Sequence, residues 1–398
     1  MKDKQICSSA AATCCRPSSH RHRYGAPRAL AGALVVLLLI AGIAGAACAE
    51  RASGGSGKVG GIYHGPLIGV ISSSSVTTPS TTVPSPSALF PVKVSDKWGY
   101  IDQTGRIIIA PQFEVADPFA QGLADVELAG KWGYVGENGE TVIAPQFDYA
   151  CPFSEGLGLV EVNGKWGFVN EKGQMVIPAR FAIAESFSQG LADVANTIGG
   201  KMGYIDETGN LVISPQFDVA HPFSDGLAAV RVGSETGYVS LQGAMVIAAQ
   251  FEPSDDFAYH GAGSFSEFLA AVLVNGKWGY LNEAGQMVIA PQFDEVFPFQ
   301  EGLGAVKVGG KWGYIDTAGK MIIAPQFSHA FSFSEGLASI GGDYINTQGQ
   351  VVISTRYAWV YAFNQGLAEV ATGNGPLDPN GEVGYVDTTG HMVWPLQK

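Results

Sequence analysis

Three sets of residues in this chain have the chemistry that sites are made from. The first is an acid or amide that follows a Tyr-Ile or similar pair: Asp102, Asn170, Asp206, Asn282, Asp316, Asn346 and Asp387. Their oxygens suit calcium, but a calcium loop gathers several oxygens from one short segment. Here each stands alone before a Thr-Gly or Ala-Gly type of turn, where it serves as a turn cap. No metal is expected. The second set is the acid of Ser-Glu-Gly-Leu stretches, Glu155, Asp225, Glu301 and Glu335, a carboxylate pair in principle fit for general acid and base work. It recurs in register along the chain, whereas an active site needs one asymmetric constellation. The third set is aromatic: Trp98, Trp132, Trp166, Trp278 and Trp312, each followed by glycine (Gly99, Gly133, Gly167, Gly279, Gly313). Exposed, such rings stack on sugars or hold cations; buried, they are the apolar mass of a small sheet. Met202 and Thr236 replace Trp without disturbing the frame, which favours the buried role.

No other constellation points to catalysis. His64, His221, His260, His329 and His391 share neither register nor metal-ligand spacing. Nucleophile elbow, phosphate loop and dinucleotide fingerprint are all missing from the sequence. The expectation is no enzyme, no catalytic residue and no cofactor.

The elements behind these residues are set by a repeat. Lys-Trp-Gly-Tyr and its degenerate forms occur with the Trp position at 98, 132, 166, 202, 236, 278, 312, 342 and 383. The first two steps are 34, and the longer or shorter later steps fall where loops belong. A fixed period of this length marks a repeat architecture. Within one copy, Leu159–Val162 alternates as a strand, and Asn163-Gly164 is a two-residue hairpin turn with both residues at positive φ. Lys165–Val169 returns as a second strand. Asn170–Gly173 turns again, and Gln174–Ile177 is a third strand ended by Pro178, which has no N–H for a ladder. Each copy is thus a three-stranded antiparallel meander of about 20 residues with a connector of about 12. The connector phenylalanines (Phe147 and Phe153, Phe217 and Phe223, Phe293 and Phe299) are expected to pack on the sheets.

Copy two continues Tyr-Val-Gly-Glu-Asn-Gly-Glu-Thr-Val-Ile-Ala-Pro-Gln-Phe-Asp, then Cys-Pro-Phe-Ser-Glu-Gly-Leu, from Tyr134 to Leu157. This resembles the bacterial WG-repeat (KWG-repeat) family over roughly Leu89 to Pro395. The resemblance implies a β-rich repeat fold and brings no shared catalytic residue. The array begins on a first strand and ends on a third, with no unit split between its ends. An open, twisting all-β solenoid or superhelix of about nine copies is therefore expected over 88–398, with a closed propeller-like ring as the alternative.

Composition bounds the surroundings. Formal net charge is −13; residues 1–49 carry six Lys or Arg against one Asp, which leaves the rest at −18. So acidic a body repels phosphate backbones and anionic lipid, and nucleic acid is not an expected partner. Ala29–Ala49 is uncharged and apolar behind a basic segment, the pattern of an export signal or N-terminal membrane anchor over residues 1–49. Ala47-Cys48-Ala49 suits cleavage before Glu50. Gly45–Cys48 also approaches a lipoprotein box, with Cys48 as the lipidated residue and Gly where Leu is usual. Cleavage, lipidation and retention all place the repeats outside the cytoplasm, at the cell envelope, with membrane association through this segment only. Residues 50–87 are Gly/Ser/Thr/Pro-rich, a composition expected to form a disordered spacer. Cys151 is the only cysteine of the repeat body, so no disulfide can form within it.

Function is expected to lie in binding: a non-enzymatic scaffold for protein partners at the envelope. The alternatives are a binder of envelope glycan through aromatic rows and a plain structural spacer. Two copies are stretched, around Pro253–Ser266 and Thr372–Glu382. In the first, Asp255, Asp256, Phe257, Tyr259 and His260 form a candidate interaction loop, because repeat arrays collect insertions on their binding face.

Overall fold

A computed structural model describes residues 88–252, 263–355, 357, 359–372 and 382–397. Among them every regular element is a strand, and the strands form nine consecutive antiparallel sheets, here called blades one to nine. Blade two shows the full pattern: Val115–Ala116, Leu123–Leu128, Lys131–Gly136 and Thr141–Phe147, hydrogen-bonded in that order. The last three strands are the meander read from sequence. The first is a two-residue strand that the connector contributes, pairing Val115 with Glu127 and Ala116 with Val126. Six blades have a fourth strand, of two residues in five of them and lengthened to Tyr149–Ser154 in blade three; blades one, six and eight have three.

The glycine after Trp has a specific cause. Trp132 pairs with Phe147 and Tyr134 with Ile143, so three residues of the outer strand, Ala144 to Gln146, bulge across the single Gly133. A β-carbon on Gly133 would lie 2.5 Å from the Ile143 carbonyl oxygen and 2.7 Å from Pro145 N. The same bulge faces Gly167, Gly279 and Gly313. Proline in the bulge costs no ladder bond, which is why Ala-Pro-Gln recurs there.

Successive blades are tied by the Tyr of the second strand. Its hydroxyl donates to a backbone carbonyl of the next blade: Tyr100 to Asp117, Tyr134 to Cys151, Tyr204 to His221, Tyr238 to Gly263, Tyr280 to Phe297, Tyr314 to Phe331 and Tyr344 to Tyr361, at 2.7–2.9 Å. Each ring also meets a connector phenylalanine, as Tyr134 meets Phe153 at 4.7 Å between centroids. The connector phenylalanines are buried in these interfaces as expected.

The expectation of an open solenoid is corrected. Blade nine uses the same tie on blade one: Tyr385 donates to the Pro91 carbonyl at 2.9 Å across 294 residues, and its ring packs 5.7 Å from Phe90. Gln103 Nε2 donates to the Gln365 carbonyl at 2.6 Å. Phe90, Val92, Ile101, Leu367 and Tyr385 share one apolar cluster. The described residues form a closed nine-bladed ring. The missing split blade misled the sequence reading, since closure here needs no shared strand. Side-chain-to-backbone ties and aromatic packing join every pair of blades, and they work equally between the last and the first.

Candidate functional site

The turn before the first long strand and the turn after the second lie at the same end of each blade, because Leu123 pairs with Gly136. The Ser-Glu-Gly-Leu turns therefore share an end with the Asp or Asn turns. Each Ser-Glu-Gly-Leu unit closes as a two-residue hairpin, such as Ala120 N to Leu123 O and Leu123 N to Ala120 O, with Gln121 and Gly122 both at positive φ.

The turn acid has a structural partner in the next blade. Glu155 accepts from Gln189 N at 2.6 Å and Gly190 N at 2.8 Å; Glu267 accepts from Gly302 N, Glu301 from Gly336 N and Glu335 from Gly366 N. Where the residue is glutamine the amide oxygen does the same, Gln121 from Gly156 N and Gln189 from Gly226 N, both at 2.9 Å. The preceding serine donates onward too, Ser154 to the Phe187 carbonyl at 2.7 Å. These carboxylates act as turn acceptors in a circumferential chain and do not converge as an acid–base pair.

The Asp and Asn turns are equally occupied. Oδ1 of Asp206 accepts from Thr208 N and Asn210 N at 3.0 and 2.9 Å, and Asn282 Oδ1 accepts from Ala284 N and Gln286 N. The Thr104 hydroxyl and the backbone N–H groups hold the Asp102 carboxyl below its ordinary range. Among the described residues no group of three or more His, Cys, Asp or Glu is arranged to hold a metal. His221, His329 and His391 stand in separate blades.

Trp132, Trp278 and Trp312 are buried, while Trp98 and Trp166 are half-buried. Trp132 packs on Tyr149 at 4.7 Å and Trp312 on Phe297 at 5.2 Å. The row thus offers little open ring face to a sugar. Asp255, Asp256, Phe257, Tyr259 and His260 lie outside the described residues, as do Cys48 and the second insertion around Asn374–Pro379.

Two features were not singled out from sequence. One is a set of buried acids. Asp125 and Asp193 are fully buried at the same register, and no donor reaches either carboxyl oxygen of either residue. Asp117 lies beside Asp125, and buried Glu185 beside Asp193, through the backbone bonds Asp117 N to Asp125 O and Glu185 N to Asp193 O. Burial, reinforced by the neighbouring carboxyl, pushes Asp125 and Glu185 well up, and burial raises Asp193 to about 8. The signal was present as an acid in an alternating apolar strand where other copies have Leu159, Ala229 or Ala305. The other feature is a belt of exposed apolar residues opening the outer strands at the turn-bearing end: Ile107, Val142, Met175 with Val176, Leu211 with Val212, Met245 with Val246, Met287 with Val288, Met321 with Ile322 and Val351 with Val352.

The geometry is that of a closed β-repeat ring, propeller-like, whose recurrent polar groups are used between blades. The family model for the WG containing repeat matches residues 98–132, 132–166, 166–196, 202–235, 237–278, 278–312, 312–340 and 344–375, and the chain belongs to that family. No curated protein matches it in sequence. Among solved structures, a eukaryotic initiation factor aligns with a TM-score of 0.56 at 12% identity, over 79% of this chain and 96% of that one, a likeness of fold alone. Dihydro-heme d1 dehydrogenase NirN (TM-score 0.39, 12% identity, 81% and 75% of the two chains) overlaps too loosely to inform function. The same is true of virginiamycin B lyase from Staphylococcus aureus (0.32, 12%, 67% and 94%).

Proposed function

We propose that the chain is a non-enzymatic scaffold, exported and held at the cell envelope by its N-terminal segment, whose ring binds protein partners. The observation that carries this is the apolar belt. Eight successive blades expose Ile, Met, Leu or Val at one or both of the first two positions of the outer strand, on a body of strongly acidic net charge. Exposed apolar residues gathered at one end of a fold are characteristic of interaction sites. The recurrent groups with chemical potential are consumed within the ring, which favours binding over catalysis. No helix of the described residues is long and apolar enough to cross a membrane. The uncharged, apolar Ala29–Ala49 behind its basic segment is what supports export and anchoring in this reading.

The test is a photo-crosslinking side chain placed at Val212, Val246 or Val288 of the full chain in its own cells. Discrete protein adducts are expected, lost when the neighbouring Leu211, Met245 or Met287 is changed to Lys. An abundant chain that yields no adduct from any of the three positions overturns the scaffold reading. Recovery of the full chain as a soluble cytosolic protein overturns the export.

A further inference from the structure

Phe268 is out of place for the fold. In seven described turns of the Ser-Glu-Gly-Leu type the second turn residue is glycine at positive φ, as at Gly190 (φ 81) and Gly302 (φ 77). In blade six the turn reads Ser266-Glu267-Phe268-Leu269, with Glu267 at φ 52 and Phe268 at φ 64. A bulky residue in the left-handed region is strained, and such strain persists where something else selects for it. Packing does not supply the reason, because Phe268 is 65% exposed. Hydrogen bonding does not either. The Phe268 N–H donates to Asp225 Oδ2 at 2.9 Å, the bond that Gly190 N makes to Glu155, and glycine would make it as well.

We propose that Phe268 is the anchor of a binding site on the turn-bearing end of the ring, and that its occupant is an arginine- or lysine-bearing segment of a partner protein. This rests on the reading of the ring as a protein-binding scaffold and names the chemistry of the partner. An exposed phenyl face attracts a guanidinium or ammonium group. Carboxylates share its end of the ring: Asp225 accepts from its N–H, Glu267 precedes it in the turn and reaches Gly302 N, and Glu301 of the next blade reaches on to Gly336 N. The turns that complete this chain contribute carboxylates and amides, with no cationic side chain at the equivalent position. The body's −18 steers a basic segment inward and rejects an acidic one.

The probe is a fluorescein-labelled nona-arginine peptide, titrated by anisotropy against the full chain in neutral detergent, with a nona-glutamate peptide as the opposite charge. Wild type is expected to bind the arginine peptide alone. Phe268→Gly is expected to weaken binding about ten-fold while melting at the same temperature as wild type or higher, since the strain is gone. Glu335→Gln, in a turn two blades away, is expected to keep affinity within about two-fold. Unchanged affinity in Phe268→Gly would show adsorption to the acidic surface at large and overturn the site. A lower melting temperature in that variant would make Phe268 a packing residue and overturn it too. Full affinity in Phe268→Leu would replace the cation by a purely apolar contact and overturn the assigned partner. Loss of peptide binding with belt crosslinks retained removes this site alone; loss of both removes the scaffold reading as well.

Discussion

Trp132 and Asp193 show how one repeated position acquires different work. Trp132 is 2% exposed and packed on Tyr149, so Trp132→Ala deletes core atoms that the bulged outer strand cannot replace. The expected loss is roughly 3–5 kcal/mol of unfolding free energy, read by denaturant titration. Half-buried Trp166 should lose less. Asp193 is different: it is a buried carboxyl beside buried Glu185, and no donor reaches either of its oxygens, so burial favours its protonated form. Its folded pKa of about 8 lies above the unfolded value, so the folded state binds the extra proton. Its contribution is fully present below about pH 4 and is lost as pH rises to about 8. Melting temperature is therefore expected to fall from pH 5 to pH 9, by the equivalent of roughly 2–4 kcal/mol. Asp193→Asn should make that profile shallower without flattening it, because the buried carboxyls of Asp125, Glu185 and Glu369 are raised in the same direction. A profile that stays as steep in the variant would assign the proton elsewhere.

Turns and short strands divide into what the pattern disclosed and what it concealed. Asn163-Gly164 and the three meander strands were legible because period-two alternation and positive-φ residues act locally. The Ser-Glu-Gly-Leu turn was legible as a turn, while its blade-to-blade bonds were not, since they join residues about one repeat apart that only the ring brings together. Lys131 and Asp148 belong to the same class: 17 residues apart, they meet at 2.6 Å while Asp148 also accepts from Asn163 N. The two-residue connector strands were missed because Val115–Ala116 is too short to show any period. The turn chain also makes its own test, since Gln121 and Gln189 already stand where Glu155 does. Glu155→Gln is expected to leave stability within about 0.5 kcal/mol. Glu155→Ala strands two N–H groups and should cost roughly 1–2 kcal/mol, read from the melting curves. Equal losses in both variants would mean that the charge matters and the acceptor does not.

Closure changes what removing a blade means. In an open solenoid the terminal copy has one neighbour, so its deletion subtracts one interface and leaves a shorter array of the same kind. In this ring blade nine meets blade eight through Tyr344 and blade one through Tyr385. Deleting residues 359–398 therefore removes two interfaces and uncovers two apolar faces, one bearing Phe90, Val92 and Ile101 and the other Tyr344 and Ile353. The expected product unfolds at a much lower denaturant concentration than the full ring and self-associates through the uncovered faces, visible by size-exclusion chromatography. A milder lesion separates the hydroxyl from the surface it sits on. Tyr385→Phe copies the natural Phe168, which joins its blade to the next without a tyrosine hydroxyl and packs on Phe187 at 4.8 Å. It should cost only about 1 kcal/mol and leave the elution volume of the ring unchanged. If the deletion instead behaves as a slightly shorter, soluble array with an almost unchanged midpoint, the contacts between first and last blades are not what holds the molecule. Stability would then be the sum of neighbouring copies along an open chain.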